Sequence, residues 1–147
     1  MASVSIFVGS VYGNAQHVAE QCEENLVEIG HDVSLFSEPE IDDFKDAENV
    51  LVITSTTGQG DLPPNIEFFA QDLRDQMPLM GGKSFAVVAL GDSSYGDTFG
   101  GAGHTMYEIL TELQGKPMAD LFIVDAMETF EPETEVVPWV TKLFSVN

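Results

Sequence analysis

Three stretches rich in Gly, Ser, Thr and Asn hold the residues of this chain best suited to ligand chemistry. In the first, Ser10-Val11-Tyr12-Gly13-Asn14-Ala15, a hydroxyl, an amide and a glycine backbone come together without a Lys or Arg. Such a stretch can hold a phosphate through backbone N–H groups, the Ser10 hydroxyl and the positive end of a following helix, in place of fixed cations. The same residue types also make an ordinary strand-to-helix turn, so this stretch alone leaves both readings open. The second, Ser55-Thr56-Thr57-Gly58-Gln59-Gly60-Asp61, sets two glycines behind three hydroxyl residues. Its backbone can lie against a flat ligand and offer N–H and C=O groups to the ligand's edge. The third begins Gly91-Asp92-Ser93-Ser94-Tyr95 and continues past Phe99. Tyr95 is suited to stacking on a heteroaromatic ring, with a half-exposed surface tyrosine as the plainer alternative. Phe99 could wall the same site or anchor the loop in the core.

Each stretch follows an apolar run and precedes a helical pattern. Residues 4–8, 50–53 and 85–90 are short, continuous apolar segments, the pattern of strands covered on both faces. Two further strands are expected at 33–36 and 121–124. Helical spacing runs from Asn14 to Ile29, with Val18, Cys22, Leu26 and Ile29 inward and Gly30 as the stop. A second helix carries Ile66, Phe69, Ala70 and Leu73, and a third, from His104 to Leu113, carries Met106, Ile109, Leu110 and Leu113. The last is expected to start near Pro138, because proline is favoured in the first helical turn. Residues 37–48 carry six carboxylates against Lys45 and read as a solvated acidic edge; the spacing is not that of a calcium loop. Alternating strands and helices predict right-handed βαβ units in one α/β domain spanning residues 1–147. Five parallel strands fit the doubly wound order 2-1-3-4-5, with helices on both faces. In such a sheet ligands bind beyond the carboxyl ends of the strands, and all three polar stretches lie there.

Composition narrows the partners. The chain has 147 residues, 5 Lys plus Arg and 25 Asp plus Glu, for a formal charge of −20. Nucleic acid and anionic membranes need clustered cations and are excluded as expected partners. A basic-faced protein is favoured, with docking that weakens as salt rises. Cys22 is the one cysteine, so neither an intrachain disulfide nor a multi-cysteine metal site is expected. His17, His31 and His104 have no metal-ligand spacing and read as helix-end or surface residues. The N-terminal residues lack a secretory pattern and no run reaches the roughly 18 apolar residues of a membrane span, which fits a cytoplasmic setting.

A phosphate at one end, a planar ring at the other and backbone polar groups around the ring describe a mononucleotide with a large flat head, and FMN fits. The three stretches resemble the FMN loops of flavodoxins, and the latter two are similar to the flavodoxin-type domains of diflavin reductases. Over nearly the whole chain the resemblance is to short-chain, acidic bacterial flavodoxins of the MioC-like group. It implies a flavodoxin-like fold and a carrier that shuttles single electrons between an NADPH-dependent flavodoxin reductase and redox acceptors, as a monomer with no catalytic side chain and no metal. By position, Ser10, Val11, Tyr12, Gly13, Asn14 and Ala15 would hold the phosphate. Ser55, Thr56, Thr57, Gly58, Gln59 and Gly60 would line one side of the ring, and Gly91, Asp92, Tyr95 and Phe99 the other. Two positions depart from the family pattern: Thr57 stands where many members place an aromatic, and Ala15 where a hydroxyl is usual. Asp61, Asp92 and Asp97 would oppose negative charge gained by a reduced ring. One carboxylate about 6 Å away at an effective dielectric of about 20 does so by roughly 3 kcal/mol. The competing reading is a non-redox binding or regulatory module on the same fold.

Overall fold

A computed structural model describes residues 3–10, 13–55, 62–91, 101–125 and 133–145. The described elements are β1 (Ser3–Gly9), α1 (Asn14–Glu28), β2 (Asp32–Phe36), α2 (Ile41–Asp46), β3 (Asn49–Ser55), α3 (Pro64–Gln76), β4 (Ser84–Gly91), α4 (Gly101–Glu112), β5 (Lys116–Pro117), β6 (Phe122–Asp125) and α5 (Glu133–Ser145). All strand pairs are parallel, in the order β2-β1-β3-β4-β5, with β6 also on β4.

The central strands are apolar on both faces because both are covered. Val4, Ile6 and Val8 of β1, Leu51 and Ile53 of β3, and Ala86, Val88 and Leu90 of β4 pack with residues of α1 and α5. The intervening residues, Phe7, Val50, Val52, Phe85 and Val87, pack with α2, α3 and α4. Phe7 is the hub of that second face. Its ring stacks between Phe36 and Phe69, with centroids 5.3 Å from each, and Phe44 tilts against it at 6.1 Å.

The edge beyond β4 differs from the expected single fifth strand. It is made of two short pieces: β5 pairs with Ser84 and Phe85, and β6 pairs with the stretch from Val88 to Gly91. Pro117 has no N–H to extend the ladder. Met118 N–H still donates to the Phe85 carbonyl at 2.8 Å before the chain swings out and returns as β6.

Four further expectations are corrected. Residues 37–48 are not simply a solvated edge. They contain α2, whose N-terminal Glu40 N–H is held by the Asp43 carboxylate at 3.0 Å and whose Phe44 is buried. Ile29 lies outside the buried stripe of α1, because the helix ends at Glu28 and Ile29 is 45% exposed. His31 is buried rather than on the surface, its ring edge-on to Phe144 of α5. Helix α5 begins at Glu133, with Pro138 inside it; Val136, buried like Val140 and Phe144, extends the inward stripe to before the proline.

Helix α4 starts earlier than expected, at Gly101, and Gly103 explains how closely it approaches the sheet. A methyl group at that position would overlap the side chain of Ala89 on β4.

Cys22 lies in the α1–α5 core. Burial pushes its thiol from 9.0 up to about 12. Above pH 9 the unfolded chain loses this proton while the native chain keeps it, so the unfolded state binds fewer protons and stability falls as pH rises. Between about pH 9 and 12 the expected slope from this group is up to about 1.4 kcal/mol per pH unit. Urea denaturation of the parent and of Cys22→Ala across that range should show the extra slope only in the parent. A thiol reagent should also leave the native protein unlabelled until it unfolds.

Candidate functional site: the carboxyl edge of the sheet

The parallel register brings the ends of β1, β3 and β4 to one edge. Gly9 is level with Thr54, Ser55 with Leu90, and Gly91 with Asp125 of β6. Of the residues expected to bind a ligand, Ser10, Gly13, Asn14, Ala15, Ser55 and Gly91 fall in the described parts of the chain, and all stand at this edge. Val11, Tyr12, Thr56, Thr57, Gly58, Gln59, Gly60, Asp92, Tyr95 and Phe99 lie outside the described residues, as do Asp61 and Asp97.

The turn from β1 into α1 is built around Ser10 and Gly13. The Ser10 hydroxyl accepts the Gly13 N–H at 2.9 Å. Gly13 caps the helix in the left-handed conformation, φ 88° and ψ −3°, which favours glycine. Among the described residues nothing lies within 4 Å of a Cβ built there. The first helical bond runs from His17 N–H to the Gly13 carbonyl at 2.9 Å. Among the described residues no side chain caps α1, and no acid occupies its first turn.

That last point is informative in a chain with 25 Asp plus Glu. Acids favour helix N-termini, where they complement the positive end of the dipole. Helices α2, α3 and α5 follow the rule, with Asp42 and Asp43, with Glu67, and with Glu133 and Glu135. Helices α1 and α4 have none, although, like the other three, they begin beyond the carboxyl end of a strand. A carboxylate in the first turn of α1 would compete with an anionic ligand. The residues present therefore fit a phosphate: the N-terminal amides of a helix, a hydroxyl-braced turn, a glycine cap and no acid in the first turn.

The cations are at the other edge. Lys45, Arg74 and Lys142 stand in the last turns of α2, α3 and α5, which run back toward the starts of the strands. Lys83 precedes β4 and Lys116 begins β5. Lys83 is further occupied there, donating to the carbonyls of Lys45 and Ala47 at 3.2 and 2.8 Å. These five are all the Lys and Arg of the sequence. Attraction for an anion at the carboxyl edge thus comes from backbone dipoles and hydroxyls.

Two of the expected ligand residues have structural duties as well. The side chain of Ala15 is fully buried in the core, so what it can offer a ligand is its backbone N–H. The Ser55 hydroxyl faces the Gly9 carbonyl at 3.4 Å, joining the ends of β3 and β1. Sequence reasoning gives no role to Asn65, whose side chain reaches across the site's base to Val8, Ser10 and Ser37. The local signal is an Asn at the start of a helix beside two prolines, which is also an ordinary helix start.

The profile of the flavodoxin family matches residues 6–139. The chain belongs to the flavodoxin family. Flavodoxin YqcA of Escherichia coli K12 is 42% identical over 142 residues, covering 95% of each chain. Protein MioC of the same strain is 30% identical over 140 residues, again covering 95% of each. A cysteine-to-serine mutant of flavodoxin from Pseudomonas aeruginosa superposes with a TM-score of 0.91 at 39% identity, covering 97% of both chains. Flavodoxins are FMN-binding electron carriers rather than enzymes, and their partners are reductases and acceptors. Among the described residues no helix is long and apolar enough to cross a membrane, and no cluster of three or more His, Cys, Asp or Glu is placed to hold a metal.

Proposed function

We propose that this flavodoxin holds FMN at the carboxyl edge of its sheet and shuttles single electrons between a basic-faced reductase and basic-faced acceptors. The observation that carries the reading is the N-terminus of α1, with a left-handed glycine cap that no described residue crowds and no acid in its first turn, in a strongly acidic chain. Ser10, Val11, Tyr12, Gly13, Asn14 and Ala15 form the phosphate end. Ser55, Thr56, Thr57, Gly58, Gln59 and Gly60 flank one side of the ring, and Gly91, Asp92, Tyr95 and Phe99 the other. When bound, FMN supplies the redox chemistry.

The chain's own part is binding, orientation and field. Hydrogen bonds to a charged phosphate contribute about 1.5–3 kcal/mol each, so a few helix amides and one hydroxyl suffice without a lysine. Placing every Lys and Arg at the far edge leaves the docking rim without either, so the overall charge of −20 orients a basic partner toward the site. Residues 1–147 act as one flavodoxin-like domain, a monomer of the cytoplasm, with an NADPH-dependent flavodoxin reductase as donor.

The test is electron transfer from the reduced, FMN-loaded protein to a small basic haem protein in a stopped-flow mixer. The second-order rate constant should fall about tenfold or more between low salt and roughly 0.5 M, as screening removes the attraction. A rate insensitive to salt, or no transfer at all, contradicts the docking and carrier readings respectively.

A further inference from the structure

Asn65 is the second residue of α3, yet its side chain serves three distant segments. Its Oδ1 accepts the Ser10 N–H at 3.0 Å. Its Nδ2 donates to the Val8 carbonyl at 2.8 Å and to the Ser37 carbonyl at 2.8 Å. Both amide hydrogens and one oxygen lone pair are therefore spent on backbone groups. Val8 is the next-to-last residue of β1, Ser10 opens the phosphate turn, and Ser37 follows β2. Ser10 passes the constraint on, because its hydroxyl accepts the Gly13 N–H that caps α1. A planar amide of this length is the one neutral side chain that presents a donor pair and an acceptor in this fork. Asp in its place would set a carboxylate against two carbonyl oxygens, and Leu would leave three backbone groups without their partner.

We infer that Asn65 is a positioning residue for the phosphate end of the site. It fixes the Ser10 backbone, and through Ser10 the Gly13 cap and the first amides of α1, in the arrangement that receives a phosphate. It also ties that turn to α3, the helix entered from the Ser55–Asp61 stretch. This inference rests on the FMN reading above and assigns the phosphate increment of that binding to one remote side chain.

The experiment compares FMN with riboflavin, which carries the same ring and no phosphate. Wild type, Asn65→Leu and the milder Asn65→Ser are titrated with each flavin by fluorescence quenching, and apoprotein melting is recorded alongside. In both variants FMN affinity should fall about tenfold or more while riboflavin affinity stays within about threefold. The preference for FMN over riboflavin thus collapses. If the variants weaken both flavins equally and keep the wild-type preference, Asn65 is merely structural and the inference is overturned. If Asn65→Leu does not fold, the Asn65→Ser ratio decides the matter in the same way. A wild-type protein with no preference for FMN overturns the functional reading itself, and this inference with it.

Discussion

Replacing Gly13 by Asp is expected to weaken FMN binding about a hundredfold. Any side chain at φ 88° strains the backbone and costs some stability, but Asp and Asn share that cost. Both tolerate the left-handed conformation better than most residues, so comparing them isolates the charge. The Asp side chain would enter a space that no described residue fills. There it places a carboxylate on the phosphate side of the turn. At about 5 Å and an effective dielectric of about 20, one unit charge opposes another by roughly 3 kcal/mol, which is about two decades in affinity. Gly13→Asn, of the same shape without the charge, should lose far less. Equal losses for Asp and Asn would show that backbone strain and not charge decides the effect. An unchanged affinity in Gly13→Asp would place the phosphate elsewhere.

Phe7→Ala should cost about 3–5 kcal/mol of folding stability, a large share of the roughly 5–15 kcal/mol of a typical domain. Phe7 is 1% exposed and touches three other rings, two of them stacked at 5.3 Å. Truncation removes the buried area and leaves Phe36, Phe44 and Phe69 facing a cavity between β1, β2, α2 and α3. Phe69 belongs to the same helix as Asn65, so repacking there should also loosen the Asn65 fork at the end of β1. Urea denaturation of the apoprotein measures the first effect. A cost under 1 kcal/mol would mean that the second core face collapses to fill the space.

Much of this architecture is written locally. Residues 50–53 and 85–90 are apolar at every position because helices cover both faces, and a two-sided strand needs no partner to be recognised. Gly30 ends α1 through its own preference for positive φ, here 101°. Helix α2 is hidden because six residues are too few for a period to show, and Phe44 stands among acids. The split of the last sheet position into β5 and β6 depends on which residues of β4 are left to pair, a matter of register rather than of sequence in that segment. His31 is buried by Phe144, from the last helix, so nothing near it announces its burial. The site divides in the same way. Ser10 and Gly13 carry the chemistry of a phosphate turn in their own residue types. The duty of Asn65 exists only when Val8, Ser10 and Ser37 have been brought around it. The missing acid in the first turn of α1 is visible in the sequence, but it gains meaning only beside the acids that begin α2, α3 and α5.

The most direct test of the account is a visible absorption spectrum of the protein after incubation with excess FMN and passage over a desalting column. Flavin bands should elute with the protein at about one flavin per chain, shifted from those of free FMN. Colourless protein, with all the flavin in the salt volume, would contradict an edge built from helix amides and hydroxyls as a sufficient seat for the cofactor.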